Sequence, residues 1–168
     1  MSWDLPEPYI VTRRALPEHI DGYGHVNNAV YVRWLDECAW SHSSALGLPP
    51  QVCSELGRGM AVWRTQINYL SAAFEGEDVE VGTWLLRNDG RLRIDRRFQM
   101  RRRVDGETLL VALIHYVSID LTTGRAVRMP SVFVERYAVL PAVIVAADED
   151  FQPGVEPARR RAAARERE

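Results

Sequence analysis

The chain contains no lysine; its 21 basic residues are all arginine. Schiff-base chemistry and a lysine nucleophile are thereby excluded. What remains for anion recognition is a planar, permanently charged guanidinium. Only two cysteines occur, Cys38 and Cys53. That is too few for a disulfide framework and fits a reducing, cytoplasmic setting; we read both as small apolar side chains. No stretch reaches the roughly 18 uncharged apolar residues of a membrane span, so no membrane partner is expected. The opening "MSWDLPEPYIVTRRAL" lacks the basic-then-apolar order of a secretory signal. His19, His25, His42 and His115 show no His-X-X-X-His spacing, and the cysteines form no Cys-X-X-Cys, so no metal site is expected. Gly-X-Ser-X-Gly, Gly-X-Gly-X-X-Gly and the P-loop are absent, which disfavours a serine hydrolase, a dinucleotide binder and a P-loop nucleotide binder. A formal net charge of -2 argues against nucleic acid as a partner.

What is present reads as one domain of ordinary globular composition, with 46% hydrophobic and 26% charged residues among 168. We place that domain at residues 1–145. Residues 146–168, "AADEDFQPGVEPARRRAAARERE", are charged with hardly any large apolar residue, and are expected to be a flexible or solvated tail.

"YIVTRRAL" predicts a first strand. From Val30 to Leu46 the apolar positions Val30, Tyr31, Trp34, Leu35, Cys38, Ala45 and Leu46, with His42 weaker, recur at helical spacing. Asn27 or Asn28 can cap that helix and Gly47 can end it. "MAVWRTQINYL" alternates, with Ala61, Trp63, Thr65, Ile67 and Tyr69 on one side and Arg64, Gln66 and Asn68 on the other. "EDVEVGTWLLR" and "RLRIDRRFQMRRR" follow around the turn "NDG". In the latter, Leu92, Ile94, Phe98 and Met100 are expected inward and Arg91, Arg93, Arg97 and Arg101 outward. "TLLVALIHYVSID" is apolar on both phases and predicts a central strand covered on both faces, where His115 is a satisfied core histidine. "RAVRMP" is expected to form a last short strand, and Pro130 to begin a short helix or irregular segment. Cys53 falls in a loop-like stretch. One long helix and an antiparallel sheet make a two-layer α+β domain, the sheet wrapping the helix.

The chemistry concentrates in "HIDGYGHVNNAVY", residues 19–31. A polar run ahead of a helix often serves only as loop and cap. Here Gly22 and Gly24 flank Tyr23 and allow positive φ and close approach of a ligand. His25 sits at the edge of the helix start, whose free N–H groups suit a developing oxyanion. Asp21 lies just upstream as a carboxylate able to activate water. Donors beside a carboxylate are what acyl transfer or hydrolysis requires.

The run from Asp21 to Tyr31, followed by "RWLDECA", resembles the signature of hotdog-fold acyl-CoA thioesterases of the 4-hydroxybenzoyl-CoA thioesterase type; plant acyl-carrier-protein thioesterases carry a similar arrangement. "INYLSAAFEGEDVEV" and "VSIDLTTGRAVRMP" also resemble that family, so the likeness spans about residues 8–140. The resemblance implies an α+β hotdog fold, a long central helix wrapped by a curved antiparallel sheet of five or six strands. It implies thioester hydrolysis with Asp21 as general base or nucleophile and the backbone N–H of Asn28 polarising the carbonyl. His25 is taken with Asp21 and Asn28 as the catalytic set, and Gly24 and Asn27 as substrate-binding positions. Tyr31 matches a motif tyrosine read mainly as packing. Asp36 and Glu37 occupy the helix on which some branches of the superfamily place their acid. The implied substrate is an acyl-CoA or an acyl-carrier-protein thioester, with no cofactor beyond the coenzyme A of the substrate. The implied partner is a second copy of the chain, in a homodimer or tetramer.

One position departs from the family. Where many relatives have an acid two residues before the catalytic aspartate, this chain has His19, a surface histidine or one that tunes Asp21. The arginines from Arg87 to Arg103 read as the wet face of a strand, as a nucleic-acid patch or as a grip for coenzyme A phosphates. For the last reading Arg64 is the substrate-binding position we name. An enoyl-thioester hydratase and a non-catalytic acyl-CoA-binding module are alternatives on the same fold. The Asp followed by Asn-Pro-X-His typical of the former is absent.

Overall fold

The computed structural model describes residues 3–150. Its alternating segments form five strands: β1 (Tyr9–Arg14), β2 (Arg58–Tyr69), β3 (Asp78–Asn88), β4 (Arg93–Arg102) and β5 (Thr108–Asp120). They make one antiparallel sheet in the order β1-β3-β4-β5-β2. β5 lies between β4 and β2 and is largely buried along its length, as its two-phase apolar pattern predicts. The long helix α1 (Asn28–Ala45) packs its stripe of Val30, Tyr31, Trp34, Leu35 and Cys38 against the sheet residues Val79, Val81, Phe98, Met100, Ala112 and Ile114. Full burial of each large side chain in that stripe contributes about 1.5–3 kcal/mol. Asn27 caps the helix, its Oδ1 accepting the Ala29 N–H at 2.9 Å. Gly47, with φ +82°, ends it. Ala45, expected in the stripe, is exposed, and Ala39 and Ser43 are buried instead. This is the helix-and-sheet arrangement that the family resemblance implies, with five strands.

Several local expectations are corrected. Cys53 lies in a short helix, α2 (Pro50–Glu55), rather than a loop. "RAVRMP" forms no strand: a single bridge joins Ala126 to Ile119, and α3 (Ser131–Arg136) follows. In β2 a bulge at Trp63 shifts the register, so Ala61 stands opposite Val117 while Thr65 stands opposite Ile114, on the other face. The single alternation expected through 61–69 is therefore broken at Trp63.

The arginine strand also departs from its pattern. Ile94, Phe98 and Met100 do point to the core, but Arg96 shares their face and is 2% exposed. Arg97, expected in water, is 7% exposed. The reason is a cover over the sheet face turned from α1. Asp4 pairs with Arg97 at 3.0 Å, and its N–H donates to Gln99 Oε1 at 2.8 Å. Trp3 packs edge-on against Trp84, and Leu5, Trp84 and Val143 form a second small core. Gly82 permits this cover, since a Cβ there would meet the Trp3 ring at 2.6 Å. Val143 belongs to α4 (Pro141–Asp150), which takes in the first residues of the expected tail; the stretch from residue 151 lies outside the described residues.

Candidate active site

Between β1 and α1 the chain makes one tight turn that begins at Asp21. A bridge between Ile20 and Val26 closes it. Within it the Asp21 N–H donates to the His25 carbonyl at 2.8 Å, and the Gly24 N–H to the Asp21 carbonyl at 3.0 Å. The Asp21 carboxylate bends back over the turn. Its Oδ1 accepts the N–H of Tyr23 at 2.8 Å and that of His25 at 3.3 Å. Oδ2 has no hydrogen-bond partner among the described residues. Gly24 holds φ +80°, and open space surrounds the position a Cβ would take. The backbone is thus left-handed and accessible at one residue.

The turn is fastened on both sides. Val26, 2% exposed, donates its N–H to the Ala73 carbonyl at 2.9 Å, and the Asn27 N–H goes to the His19 carbonyl at 2.9 Å. Asn28 is the first residue of α1, and its N–H has no acceptor in the described chain. Its carbonyl accepts the Tyr69 hydroxyl at 3.2 Å. The structure therefore brings Asp21, Gly24, His25, Asn27 and Asn28 into one exposed turn at a helix start. A carboxylate with one free oxygen and an unpaired helix N–H are both available there to a carbonyl compound and a water.

The roles within this set are unequal. Asn27 spends its side chain on the cap. The His25 imidazole meets Phe74 edge-on at 5.3 Å, and only its backbone engages Asp21. His19 is held apart from Asp21: Nδ1 accepts the Leu16 N–H at 3.1 Å, and the ring stands edge-on to Trp34 at 5.6 Å. The departure from the family pattern at this position is met by a structural histidine. Arg64 stands opposite His115, on the sheet face turned from α1, whereas Tyr69, which reaches Asn28, registers with Leu110 on α1's side. One chain by itself does not bring Arg64 to the turn.

Elsewhere on α1, Glu37 pairs with Arg13 at 2.6 Å. The Asp36 carboxylate has no hydrogen-bond partner among the described residues, and burial, with Glu37 beside it, raises its pKa from the ordinary carboxylate value. His115 is satisfied, Nδ1 bonding Asp95 at 2.7 Å, but it is only partly buried, on the sheet face turned from α1, rather than in the core. Among the described residues no group of three His, Cys, Asp or Glu side chains is placed to hold a metal ion, and no helix is long and apolar enough to cross a membrane.

Residues beyond the motif support the turn. Tyr31 Oη accepts the Ala73 N–H at 2.8 Å, and burial raises the Tyr31 pKa. Arg102 donates to the Ala72 carbonyl at 2.8 Å and pairs with Glu77, Asp105 and Glu107. Tyr69 and Phe74, which touch the turn, are 44% and 46% exposed, so an apolar rim stands beside it. Tyr69, Ala72, Ala73, Phe74 and Glu77 fall in "INYLSAAFEGE", whose family likeness is the sequence signal for them, whereas Arg102 lies outside that stretch.

Comparison with known proteins bears on the whole arrangement. Solved structures share the fold. A 1,4-dihydroxy-2-naphthoyl-CoA thioesterase from Synechocystis superposes with TM-score 0.70 at 17% identity, covering 78% of this chain and 96% of that one. The probable thioesterase YbaW from Escherichia coli gives TM-score 0.64 at 25% identity, covering 76% and 94%. The Staphylococcus aureus protein SAV2348, solved in complex with CoA, gives TM-score 0.72 at 18% identity, covering 92% of each chain. Among curated proteins no sequence matches this chain. The sequence matches the thioesterase-like superfamily over residues 15–137, a span that holds the turn, α1 and strands β2 to β5. The chain belongs to that thioesterase-like superfamily, as a thioester hydrolase of the hotdog fold.

Proposed function

We propose that this protein hydrolyses acyl-coenzyme A thioesters at the turn that precedes α1. The observation that carries the reading is the pairing of Asp21, with Oδ2 unbonded, and the unpartnered N–H of Asn28 in one exposed turn. The thioester carbonyl accepts from the Asn28 N–H, which stabilises the oxyanion as it forms. As general base, Asp21 takes a proton from water, whose oxygen adds to the carbonyl carbon. The tetrahedral intermediate then breaks its C–S bond, and the proton passes to the departing thiolate. As nucleophile, Asp21 instead attacks the carbonyl carbon itself, and the C–S bond breaks to release the thiolate. Water then cleaves the resulting anhydride to the free acid, a proton of that water passing to the thiolate and leaving Asp21 ionised again. Gly24 gives the acyl group close approach to the backbone. His25 helps shape the turn through its backbone contacts with Asp21.

Coenzyme A as the thiol is supported by the neighbour solved with CoA and by the CoA thioesterase among the neighbours. A second copy of the chain fits the exposed edge strand β2, where Val62, Trp63 and Tyr69 are half exposed. Light scattering of the purified protein tests that pairing. The two buried, unpaired thiols suit a cytoplasmic setting.

The decisive measurement is release of free thiol from a panel of acyl-CoA and acyl-carrier-protein thioesters. Asp21→Asn should lower kcat on the order of 100-fold or more while the fold is retained. Wild-type turnover in that variant would remove Asp21 from the mechanism. Tight acyl-CoA binding without thiol release by the native protein would instead establish a binding module.

A further inference from the structure

A buried charge near the other end of α1 has no part in the turn. Arg96 rises from the middle of β4 between Leu85 and Ile114, facing the helix. It is 2% exposed, yet no carboxylate among the described residues lies within ion-pair distance of it. The other buried arginines of this strand differ: Arg97 has Asp4, and Arg102 has three acids. The terminal nitrogens of Arg96 meet neutral groups, Nη1 donating to His42 Nδ1 at 2.7 Å and Nη2 to Ser43 Oγ at 3.4 Å. Tyr137 also donates to Ser43 Oγ, at 3.2 Å. A cation buried among neutral partners lacks the anion that would offset its lost hydration.

His42 links Arg96 to the cavity beside it through a hydrogen bond. With Nδ1 accepting from Arg96, the ring proton is on Nε2, and no residue of the described chain accepts it. Burial, together with Arg96, pushes the His42 pKa down to about 4, so the ring is a neutral donor near pH 7. Tyr9 stacks on the ring at 4.7 Å, tilted by 14°, and its hydroxyl is bonded to Ser41 Oγ at 2.8 Å, which fixes the ring plane. The ring borders a cavity of about 250 Å³, whose inner wall is otherwise Leu46, Thr83, Trp84 and Leu85. The remaining wall, Glu7, Pro8, Tyr9, Ala138, Leu140 and Val143, lies outside the segment 15–137 that matches the superfamily. Glu7 is exposed at the rim, where solvent and salt screen its charge. His42 stands about 21 Å along α1 from Asn28 at 1.5 Å per residue, so this cavity is separate from the turn.

We propose that this cavity binds a small apolar carboxylate, its oxygens accepting from His42 Nε2–H and its charge offsetting that of Arg96. At interior packing density the volume suits on the order of ten non-hydrogen atoms, an aromatic or short branched acid. The apolar wall takes the hydrocarbon part, and the single donor orients the acid group.

Benzoate is a suitable probe and benzamide its neutral counterpart. The full-length protein is titrated with each while the His42 ring signals, assigned through His42→Gln, are followed by NMR. Benzoate should move the His42 signals saturably, and benzamide should bind at least tenfold more weakly. Asp21→Asn should bind benzoate as the native protein does. Ala138→Phe, which fills the mouth from an exposed position, should abolish the response, and Arg96→Met should weaken it at least tenfold. The proposal is overturned if the His42 signals do not respond, if benzamide matches benzoate, if Asp21→Asn removes the response or if Ala138→Phe leaves it intact. Should Arg96→Met fail to fold, the benzamide comparison and Ala138→Phe still decide.

Discussion

Tyr31 Oη accepts the backbone N–H of Ala73 at 2.8 Å, and the carbonyl of the same Ala73 takes the N–H of Val26 at 2.9 Å. A core tyrosine of α1 thus holds the strand connection that in turn holds the end of the Asp21 turn. Both Tyr31 and Ala73 are buried, so no water replaces a lost bond without rearrangement. Tyr31→Phe leaves the Ala73 N–H without its acceptor, at a cost of about 1–3 kcal/mol. We expect a lower denaturation midpoint with an unchanged m value. We also expect kcat for thioester hydrolysis to fall more than KM rises, because the turn shifts while the rim is untouched. An unaltered kcat would show that the turn does not depend on this link.

The cap is a separate support. Asn27→Ala removes the acceptor for the Ala29 N–H and should cost about 0.5–2 kcal/mol. Asn27→Asp and Asn27→Ser retain an acceptor and should recover most of that stability in thermal melts. If activity follows the cap, hydrolysis recovers in the same order. Full stability together with lost activity in Asn27→Ser would point instead to direct contact between the amide and substrate.

The two glycines of the turn make a matched pair. Neither would meet a neighbouring atom with an added Cβ, but only Gly24 has positive φ, at +80°. Gly24→Ala should therefore destabilise by about 1–2 kcal/mol through the backbone alone, whereas Gly22→Ala should change stability by less than about 0.5 kcal/mol. Chemical denaturation of the two variants side by side checks this; equal losses would contradict the assigned conformations.

How far the sequence reveals this protein depends on how far apart the cooperating residues lie. Asp21, His25, Asn27 and Asn28 meet through one tight turn, so they lie together within eight residues of sequence, 21–28. Helix α1 is visible for the same reason, since its stripe, the Asn27 cap and the Gly47 stop are local. Tyr69, Ala73 and Arg102 reach the turn only after the sheet is assembled, and no spacing rule joins them to Asp21. The bulge at Trp63 is invisible because an inserted residue looks like one more step of alternation. Arg97 looks solvent-facing by parity, and only the return of Asp4 and Trp3 over the sheet covers that face. Arg96 has the parity of Ile94 and Phe98, so the alternation itself puts it on the core side; what no local pattern shows is how a guanidinium is accommodated there.

Burial of His42 beside that core arginine also imposes a pH dependence on folding. In the native state burial and Arg96 bring the His42 pKa from 6.5 down to about 4. Between those values the unfolded chain binds a proton at this residue that the folded chain does not, so acidification favours unfolding. The stabilisation from neutral His42 is complete above about pH 6.5 and is lost as the pH falls toward about 4. His42→Gln retains an acceptor for Arg96 but cannot titrate. Carboxylates also titrate in the lower part of this range, but they do so in both proteins, and the difference between the two isolates the histidine. The native protein should lose thermal stability more steeply than His42→Gln between pH 6.5 and 4. Parallel curves would mean that His42 is protonated as readily in the folded chain as in the unfolded one, which the Arg96 bond to Nδ1 forbids.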